Sequence, residues 1–414
     1  MKVTLLGIGM GSGSLTGEAQ AALREADVLL GARRVLDSIP GFCGERVATY
    51  APGEILSFLQ SHPGCRRAVV AYSGDTGFYS GARQLLPLLE EHGIPAEVLP
   101  GISTVQALAA RLGIPWQEFC LVSAHGVDTD VLAPLLNHPS VFYLTGGKWT
   151  PGAICGEFCR AGLGDTLVPM FSGAAEMVGS NLSYPEEEVV TATAKEIAHR
   201  PFPSLSALLA RRQKPSFRRE FGSFGIPDSA FLRGEVPMTK AEVRAVILSK
   251  LRLSPHSVAY DVGAGTGSVS VEMSLAAHWG RIYAIEENPA ALELIAANRE
   301  RFGAYNMEVV PGRAPGSLKP LPPPDAVFVG GSKGELQGIL EAVLEKNPRC
   351  RVAISAVTLE TLAQGTTLLT RLGLSGAEWV QIGVSRAKLL GSSHLLMAQN
   401  PIFLLAAGGE EPSW

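Results

Sequence analysis

The stretch YDVGAGTGSVSVEM, residues 260–273, places Gly263, Gly265 and Gly267 at alternate positions, with Ala264 and Thr266 between them. A β-like run precedes the glycines and a helix-like run follows. Glycines at such a junction let a ligand lie directly against backbone. A dinucleotide site asks for G-x-G-x-x-G, with the pyrophosphate on the helix N-terminus. Here Ser268 stands where the last dinucleotide glycine would fall, and Asp261 precedes the glycines. A carboxylate there repels a pyrophosphate and can face a cation. These residues point away from NAD and towards S-adenosylmethionine, whose methionine end carries an ammonium and a sulfonium.

Roughly 20 residues further on, RIYAIEEN ends in Glu286 and Glu287. An acid at that place accepts from both ribose hydroxyls of a nucleoside cofactor. NAD shares this ribose, so Glu286 does not separate the two cofactors. Glu287 is expected to point into solvent. PGRAPGSL puts Gly312, Arg313 and Ala314 where an adenine edge would lie, and VFVGGS puts Gly330 and Gly331 where a substrate would approach.

The elements that must position these residues form two α/β blocks. In the first, KVTLLGIG, AVVAYSGDTGFYSGARQLLPLL and EVLPGISTVQALAARLGI each read as buried strand, glycine-rich turn and helix, with VFYLTGG and TLVPMFSGA as later strands. Strands alternating with helices predict mostly parallel sheets, with ligands at the carboxyl ends of the strands. The block runs over residues 1–202. Residues 203–225 read as a linker, since RRQKPSFRREFGSFGIPDSAF is rich in Pro, Gly, Ser and basic residues. The second block, 226–409, opens on PMTKAEVRAVILSKLRL, a helix for which Thr239 is the expected N-cap. Strands SVAYDVG, RIYAIEEN, MEVVPGRA, DAVFVGGS and RVAISAVT follow with intervening helices. Two late strands near AEWVQIGVSRAK and PIFLLAAG complete a seven-stranded doubly wound sheet.

The 414 residues carry 18% charged side chains and a formal net charge of -4, which speaks against a nucleic-acid partner. The opening MKVTLLGIGMGSGSLTGEAQ has a short apolar run broken by Gly7 and Gly9, unlike a signal peptide. No apolar stretch reaches the roughly 18–20 residues a membrane span needs. A soluble cytoplasmic protein without a membrane partner is expected. None of the six cysteines forms a C-x-x-C pair, and no metal set is evident. Buried cysteines in a reducing compartment are expected.

The second block resembles a class I methyltransferase. RGEVPMTKAEVR and DAVFVGGSKGEL narrow the likeness to the decarboxylating precorrin methylases of cobalamin synthesis, over about residues 228–409. The resemblance implies that Thr239, the loop Gly263–Gly267, Glu286 and Ala314 contact the cofactor. Many class I enzymes carry an Asp beside the adenine. Arg313 stands in that region here, so adenine recognition is expected to rest on backbone groups.

The first block offers GIGMGSGSLT (7–16), SGDTGFYSGA (73–82), LPGISTVQALA (99–109), SAHG (123–126) and LTGGKWTP (144–151). In this order they resemble the two-lobed class III tetrapyrrole methylase fold, in its cobalt-precorrin C5-methylating branch. That resemblance implies a second S-adenosylmethionine near Gly74, Asp75, Thr76, Gly77, Ser103 and Thr104. The first loop of the family carries an acid where this chain has Ser12 or Ser14. His125 is open to two readings, orienting a substrate carboxylate or holding a turn.

The two blocks in one chain resemble the fused precorrin-6Y (6B) C5,15-methyltransferases (decarboxylating). The likeness implies methylation at C5 by the first domain, and at C15 with loss of the ring C acetate carboxyl by the second. It also implies one S-adenosylmethionine per domain, a precorrin or cobalt-precorrin substrate and a homo-oligomer. No Ser/His/Asp or Cys/His constellation suggests a catalytic residue. A nicotinamide oxidoreductase and a non-catalytic tetrapyrrole or S-adenosylmethionine sensor remain as alternatives on the residues alone.

Overall fold

The computed structural model describes residues 1–164, 176–183, 185–212 and 224–409. The expected strand TLVPMFSGA, residues 166–174, and residues 213–223 of the linker lie outside the described residues. Two compact units emerge. Unit 1 comprises Met1–Val131, Ser140–Arg160 and Gly164–Gln213, and unit 2 comprises Leu132–Pro139, Ala161–Leu163 and Lys214–Trp414.

Unit 1 opens on a parallel sheet of β1 (Lys2–Gly7), β2 (Val28–Gly31), β3 (Glu45–Ala48), β4 (Arg67–Tyr72) and β5 (Ala96–Leu99). Their order is β3-β2-β4-β1-β5. Val3, Leu5, Leu6, Leu29, Leu30, Val69 and Val70 are all buried. Burial on both sheet faces explains why these strands read as near-continuous apolar runs. From β1 the next strand lies to one side, beyond β4, and β5 lies to the other. Loops that diverge at such a switch leave a crevice outside the carboxyl ends of the strands.

The second sheet of unit 1 contains β6 (Cys120–Ser123), β7 (Ser140–Leu144), β8 (Glu176–Ser180), β9 (Glu188–Ala192) and β10 (Ser206–Arg211), in the order β6-β7-β10-β8-β9. Here only β6 and β7 are parallel, so the expectation of mostly parallel strands holds for the first sheet and fails for the second. An antiparallel pair such as β8 and β9 needs only a short turn, without a crossover helix. β10 corrects the linker as well. The composition reading starts it at residue 203, yet Ser206–Arg211 is a central strand, buried from Ser206 to Ala210. Its apolar run was obscured by the proline before it and the basic residues after it.

Unit 2 holds β11 (Val258–Val262), β12 (Arg281–Glu286), β13 (Met307–Pro311), β14 (Ala326–Val329), β15 (Arg351–Ala356), β16 (Glu378–Ile382), β17 (Ser385–Leu390), β18 (Ser393–Ala398) and β19 (Ile402–Ala407). Seven of them form the expected doubly wound sheet, in the order β13-β12-β11-β14-β15-β19-β16. Only β19 runs antiparallel to its neighbours. β17 and β18 form a separate hairpin across Gly391, whose φ is +63°, so the late segment holds two more strands than expected. A two-residue Gly-Ser connection of this kind is a known hairpin turn.

The helix Ala241–Leu251 begins one residue later than expected. Lys240, not Thr239, is its N-cap, and no side chain of the cap residue bonds the first turn. The Asp228 carboxylate serves instead, with Oδ1 accepting from Ala241 N at 3.0 Å. Among the described residues no helix is long and apolar enough to cross a membrane, and no His/Cys/Asp/Glu group could hold a metal ion. Cys155 and Cys350 are buried, but Cys43 is exposed, against the expectation for the cysteines.

Candidate functional site

In unit 2, β11 delivers the chain into the glycine loop. The N–H groups of Gly263 and Ala264 both donate to Ile285 O, at 3.0 and 3.1 Å, and Gly267 N donates to Ala264 O at 2.9 Å. Gly265 and Gly267 have φ of +57° and +75°, which disfavour any side chain. A Cβ on Gly265 would stand 3.1 Å from Pro237 O, and one on Gly263 would stand 2.8 Å from Gly331 N. The loop is therefore flanked by the P-M-T-K segment and by the turn after β14. Thr266 is buried, and its Oγ1 has no hydrogen-bond partner.

Glu286 ends β12 and faces this loop. Its Oε2 accepts from Gly265 N at 3.0 Å, and its Oε1 from Glu287 N and Asn288 N at 2.9 and 3.0 Å. Oε1 is thus filled by two N–H donors, and Oε2 keeps one lone-pair site for a ligand hydroxyl. Glu287 turns the other way and pairs with Lys333 at 2.5 Å. That pair holds the Glu287 carboxyl below its usual range. Gly312 N donates to Glu286 O at 2.9 Å, which brings the turn containing Ala314 beside the same strand end. Ala314 is itself buried, while Arg313 donates to Lys333 O at 3.0 Å on the exposed rim.

Asp261 is 1% exposed, behind the loop rather than open to solvent. Its Oδ2 accepts from the Ser270 hydroxyl, and its Oδ1 has no hydrogen-bond partner. Burial pushes its carboxyl up to about 7, against the lowering effect of Ser270 and with a further push from the Glu286 charge.

The sequence did not reveal what holds the P-M-T-K segment. Arg244 is fully buried and donates to Glu272 at 2.7 Å and to Asp228 at 2.9 Å. It also donates to the carbonyls of Thr239 and Ile226. Glu272 in turn accepts from Gly225 N and Ile226 N at 2.8 and 3.1 Å. Removing one partner of such a buried network typically costs about 3–5 kcal/mol. A signal was present: Glu272 is the only charge in the helix SVSVEMSLA, and a buried acid there demands a cation.

In unit 1 the candidate residues gather at the carboxyl ends of β1, β4 and β5. Gly9 and Gly74 exchange backbone hydrogen bonds of 3.0 and 2.9 Å. Asp75 ties two loops together, with Oδ1 accepting from Gly77 N at 2.8 Å and Oδ2 from Gly101 N at 3.0 Å. Ser103 caps the helix Thr104–Leu112 in a reciprocal pair with Gln106. Gly74, Asp75, Ser103 and Thr104 line a cleft between the two lobes. Thr76 and Gly77 are not among its lining residues. Thr76 is buried with its hydroxyl on Leu99 O at 3.3 Å, and Gly77 serves Asp75.

Ser14, one of the two serines at which the resemblance calls for an acid, organises the first loop. Its Oγ accepts from Met10 N and donates to Gly11 O, both at 2.8 Å. His125 lines the cleft with Nδ1 on Thr145 O at 2.9 Å, so it holds a turn, and the ring also borders the ligand space. Arg34 and Tyr79 also line the cleft and were not singled out from the sequence.

Comparison with known proteins follows this division. Residues 2–198 match the family described as Tetrapyrrole (Corrin/Porphyrin) Methylases, and residues 230–407 match the Precorrin methyltransferase domain. A Precorrin-6Y C(5,15)-methyltransferase (decarboxylating) of Sinorhizobium sp. is 30% identical over 413 residues, 94% of this chain and 92% of the relative. The Cobalt-precorrin-6B C(15)-methyltransferase (decarboxylating) of Salmonella typhimurium is 42% identical over 186 residues, 44% of this chain and 96% of the relative. A crystal structure of Precorrin-6y C5,15-methyltransferase from Geobacter metallireducens is 38% identical, covering 47% of this chain and 100% of that one, with a TM-score of 0.44.

Proposed function

The chain belongs to the decarboxylating precorrin-6Y C5,15-methyltransferase family, and from that premise we propose that its two units divide the reaction between them. Unit 1 methylates C5 of the macrocycle. Unit 2 methylates C15 and removes the carboxyl of the ring C acetate. S-adenosylmethionine is the methyl donor, and each unit binds one molecule. The observation that carries the reading is the likeness across both units, which spans 92% of the Sinorhizobium relative.

The residues of unit 2 fit that cofactor. The glycine loop packs so closely on the P-M-T-K segment that a Cβ at Gly265 would stand 3.1 Å from Pro237 O, and Glu286 Oε2, 3.0 Å from Gly265 N, keeps acceptor capacity for a ribose hydroxyl. Behind the loop, Asp261 keeps one buried oxygen without a partner, a complement to a cationic ligand. Thr239 and the backbone at Ala314 complete the set we assign to this site. In unit 1 we assign Gly74, Asp75, Ser103 and Thr104 at the cleft surface, with Thr76 and Gly77 shaping the loop beneath it.

When bound, the sulfonium supplies an activated methyl group and needs no protein nucleophile. The macrocycle offers electron-rich meso carbons, so the chain's task is to hold two partners in line. Such positioning supplies on the order of 7–11 kcal/mol. For the decarboxylation, electrons of the breaking carbon–carbon bond pass into the macrocycle, carbon dioxide leaves, and the electron pair returns to take up a proton from the medium at the former methylene carbon, which becomes a methyl group. The protein then has to orient the acetate and exclude water.

A cobalt-bearing substrate is the second reading, favoured by the Salmonella relative's name over the unit 2 region. Mass spectrometry of products from metal-free and cobalt-bearing precorrin tests both. The expected product carries two added methyl groups and has lost one carbon dioxide. Unchanged substrate in both arms would overturn the proposal. Two cofactor molecules per chain are expected by calorimetry, and one would remove unit 1 from it. A homo-oligomer in the cytoplasm belongs to the same proposal and is read by light scattering and cell fractionation.

A further inference from the structure

Among the described residues that line the unit 1 cleft, Arg34 is the only arginine or lysine and Asp75 the only carboxylate. Asp75 already has both oxygens on the N–H groups of Gly77 and Gly101. Arg34 is exposed and, among the described residues, makes no side-chain hydrogen bond or ion pair. A guanidinium left unpaired on the wall of a cleft is a fork for a planar anion.

The sheet order places this fork in the cleft. Arg34 follows β2, in the helix Arg33–Asp37, while Ser103 and Thr104 follow β5. Strands β4 and β1 lie between β2 and β5. Three inter-strand steps separate the two ends by about 14 Å. Within the cofactor seat assigned above, Ser103 and Thr104 are the part farthest from Arg34, while Gly74 and Asp75 follow β4, the strand next to β2. At that far end the first turn of the helix Thr104–Leu112, whose N-terminus borders the cleft, offers an anionic group its own N–H donors, apart from Arg34.

Tyr79, in the segment that follows β4, lines the same cleft. It is 51% exposed and held at φ +48°, a conformation disfavoured for a bulky side chain. Its hydroxyl donates to Leu121 O at 3.0 Å, and its ring packs edge-on against Phe78 at 4.9 Å. The chain thus fixes a half-exposed aromatic ring in the cleft wall, suited to a flat conjugated ligand.

We propose that Arg34 is the specificity residue of unit 1, pairing with a carboxylate side chain of the tetrapyrrole while Tyr79 supports the macrocycle. This rests on the C5-methylating role given to unit 1. The full chain, as wild type, Arg34→Gln and Arg34→Lys, is assayed for C5 methylation and titrated by calorimetry with S-adenosylmethionine. Arg34→Gln should raise the KM for the tetrapyrrole about tenfold or more, with kcat and cofactor affinity unchanged. Arg34→Lys should recover part of the loss, as a point charge without the fork. The wild-type KM should rise with salt, and that dependence should weaken in Arg34→Gln.

Binding of an octacarboxylate porphyrin and of its octamethyl ester, followed by fluorescence, gives a second readout independent of turnover. Wild type should prefer the acid, and Arg34→Gln should lose about tenfold of that preference. Weakened cofactor binding with an unchanged KM and porphyrin preference would overturn the assignment, as would no change in any of these. A wild-type chain that prefers the acid through Arg34 yet never methylates C5 would overturn the role of unit 1 and leave the carboxylate subsite standing.

Discussion

Unit 2 centres its candidate cofactor site on one continuous piece of chain, β11, the glycine loop and the helix that follows, with Thr239, Glu286 and Ala314 brought to it from other segments. Unit 1 assembles its cleft from the ends of four strands of one sheet and from loops of a second. The supports differ accordingly. In unit 2 a side chain, Glu286, reaches the loop backbone at 3.0 Å. In unit 1 glycine backbones pack on each other, and a Cβ on Gly101 would fall 2.3 Å from Gly74 O and 2.6 Å from Gly7 O. A continuous site can be blocked without touching the core beneath it. A dispersed one cannot lose its close approaches without losing the loops themselves.

The largest effects should therefore differ in kind. Gly265→Val places a branched side chain beside Pro237 O at a φ of +57°, in the loop assigned to the cofactor. The chain should fold with a lower stability of unit 2, methylate C5 and accumulate a product with one new methyl and an intact acetate. Normal decarboxylation by this variant would remove the step from unit 2. Gly101→Ala should instead destabilise unit 1 and abolish C5 methylation, with a lower unfolding temperature by calorimetry. An unaltered melting profile would break the contrast between the two units.

A smaller effect comes from Asp261. Burial raises its carboxyl from the ordinary 3.8 to about 7. The unfolded chain gives up this proton near pH 4, whereas the folded chain keeps it to about 7. Between those values the folded state binds more protons, so this group's contribution to stability falls as pH rises. The loss is on the order of 4 kcal/mol across the window and is flat above it. Asp261→Asn should flatten the slope of cofactor-free stability between pH 5 and 7, followed by urea unfolding of the full chain. It should also weaken cofactor binding, since the partner for a cation is gone. A slope identical to wild type would place the titration elsewhere.

The contrast between the units also explains what the sequence could show. G-A-G-T-G is local, so the loop, the strand before it and Glu286 were all legible from spacing. The P-M-T-K segment was legible as a motif, but its support was not, because Arg244 and Glu272 lie 28 positions apart. Thr239 looked like a cap because a threonine precedes the helix, and Asp228, remote in sequence, took that role. In unit 1 each glycine turn could be found, yet their meeting across β1, β4 and β5 depends on strand order. Arg34 carried no motif, since an arginine at the start of a helix is ordinary until the fold sets it in a cleft. The strand Ser206–Arg211 was missed because flanking proline and arginines dominated the local composition.

The smallest effects come from the two adjacent acids, and they sharpen the comparison most. Glu286→Ala removes the acceptor for Gly265 N and any bond to a ribose diol. It should weaken unit 2 cofactor binding by roughly ten- to a hundred-fold, taking about 1.5–3 kcal/mol for a charge-assisted contact. Glu286→Gln should fall between, since its amide oxygen still accepts. C5 methylation should not change, because no residue of the unit 1 cleft is altered. Glu287→Ala removes only the exposed pair with Lys333. Ion pairs on the surface contribute little and are screened by salt, so cofactor affinity should match wild type. Should Glu287→Ala weaken binding more than Glu286→Ala, the ribose acid is Glu287 and the ligand enters from the Lys333 side of the strand end.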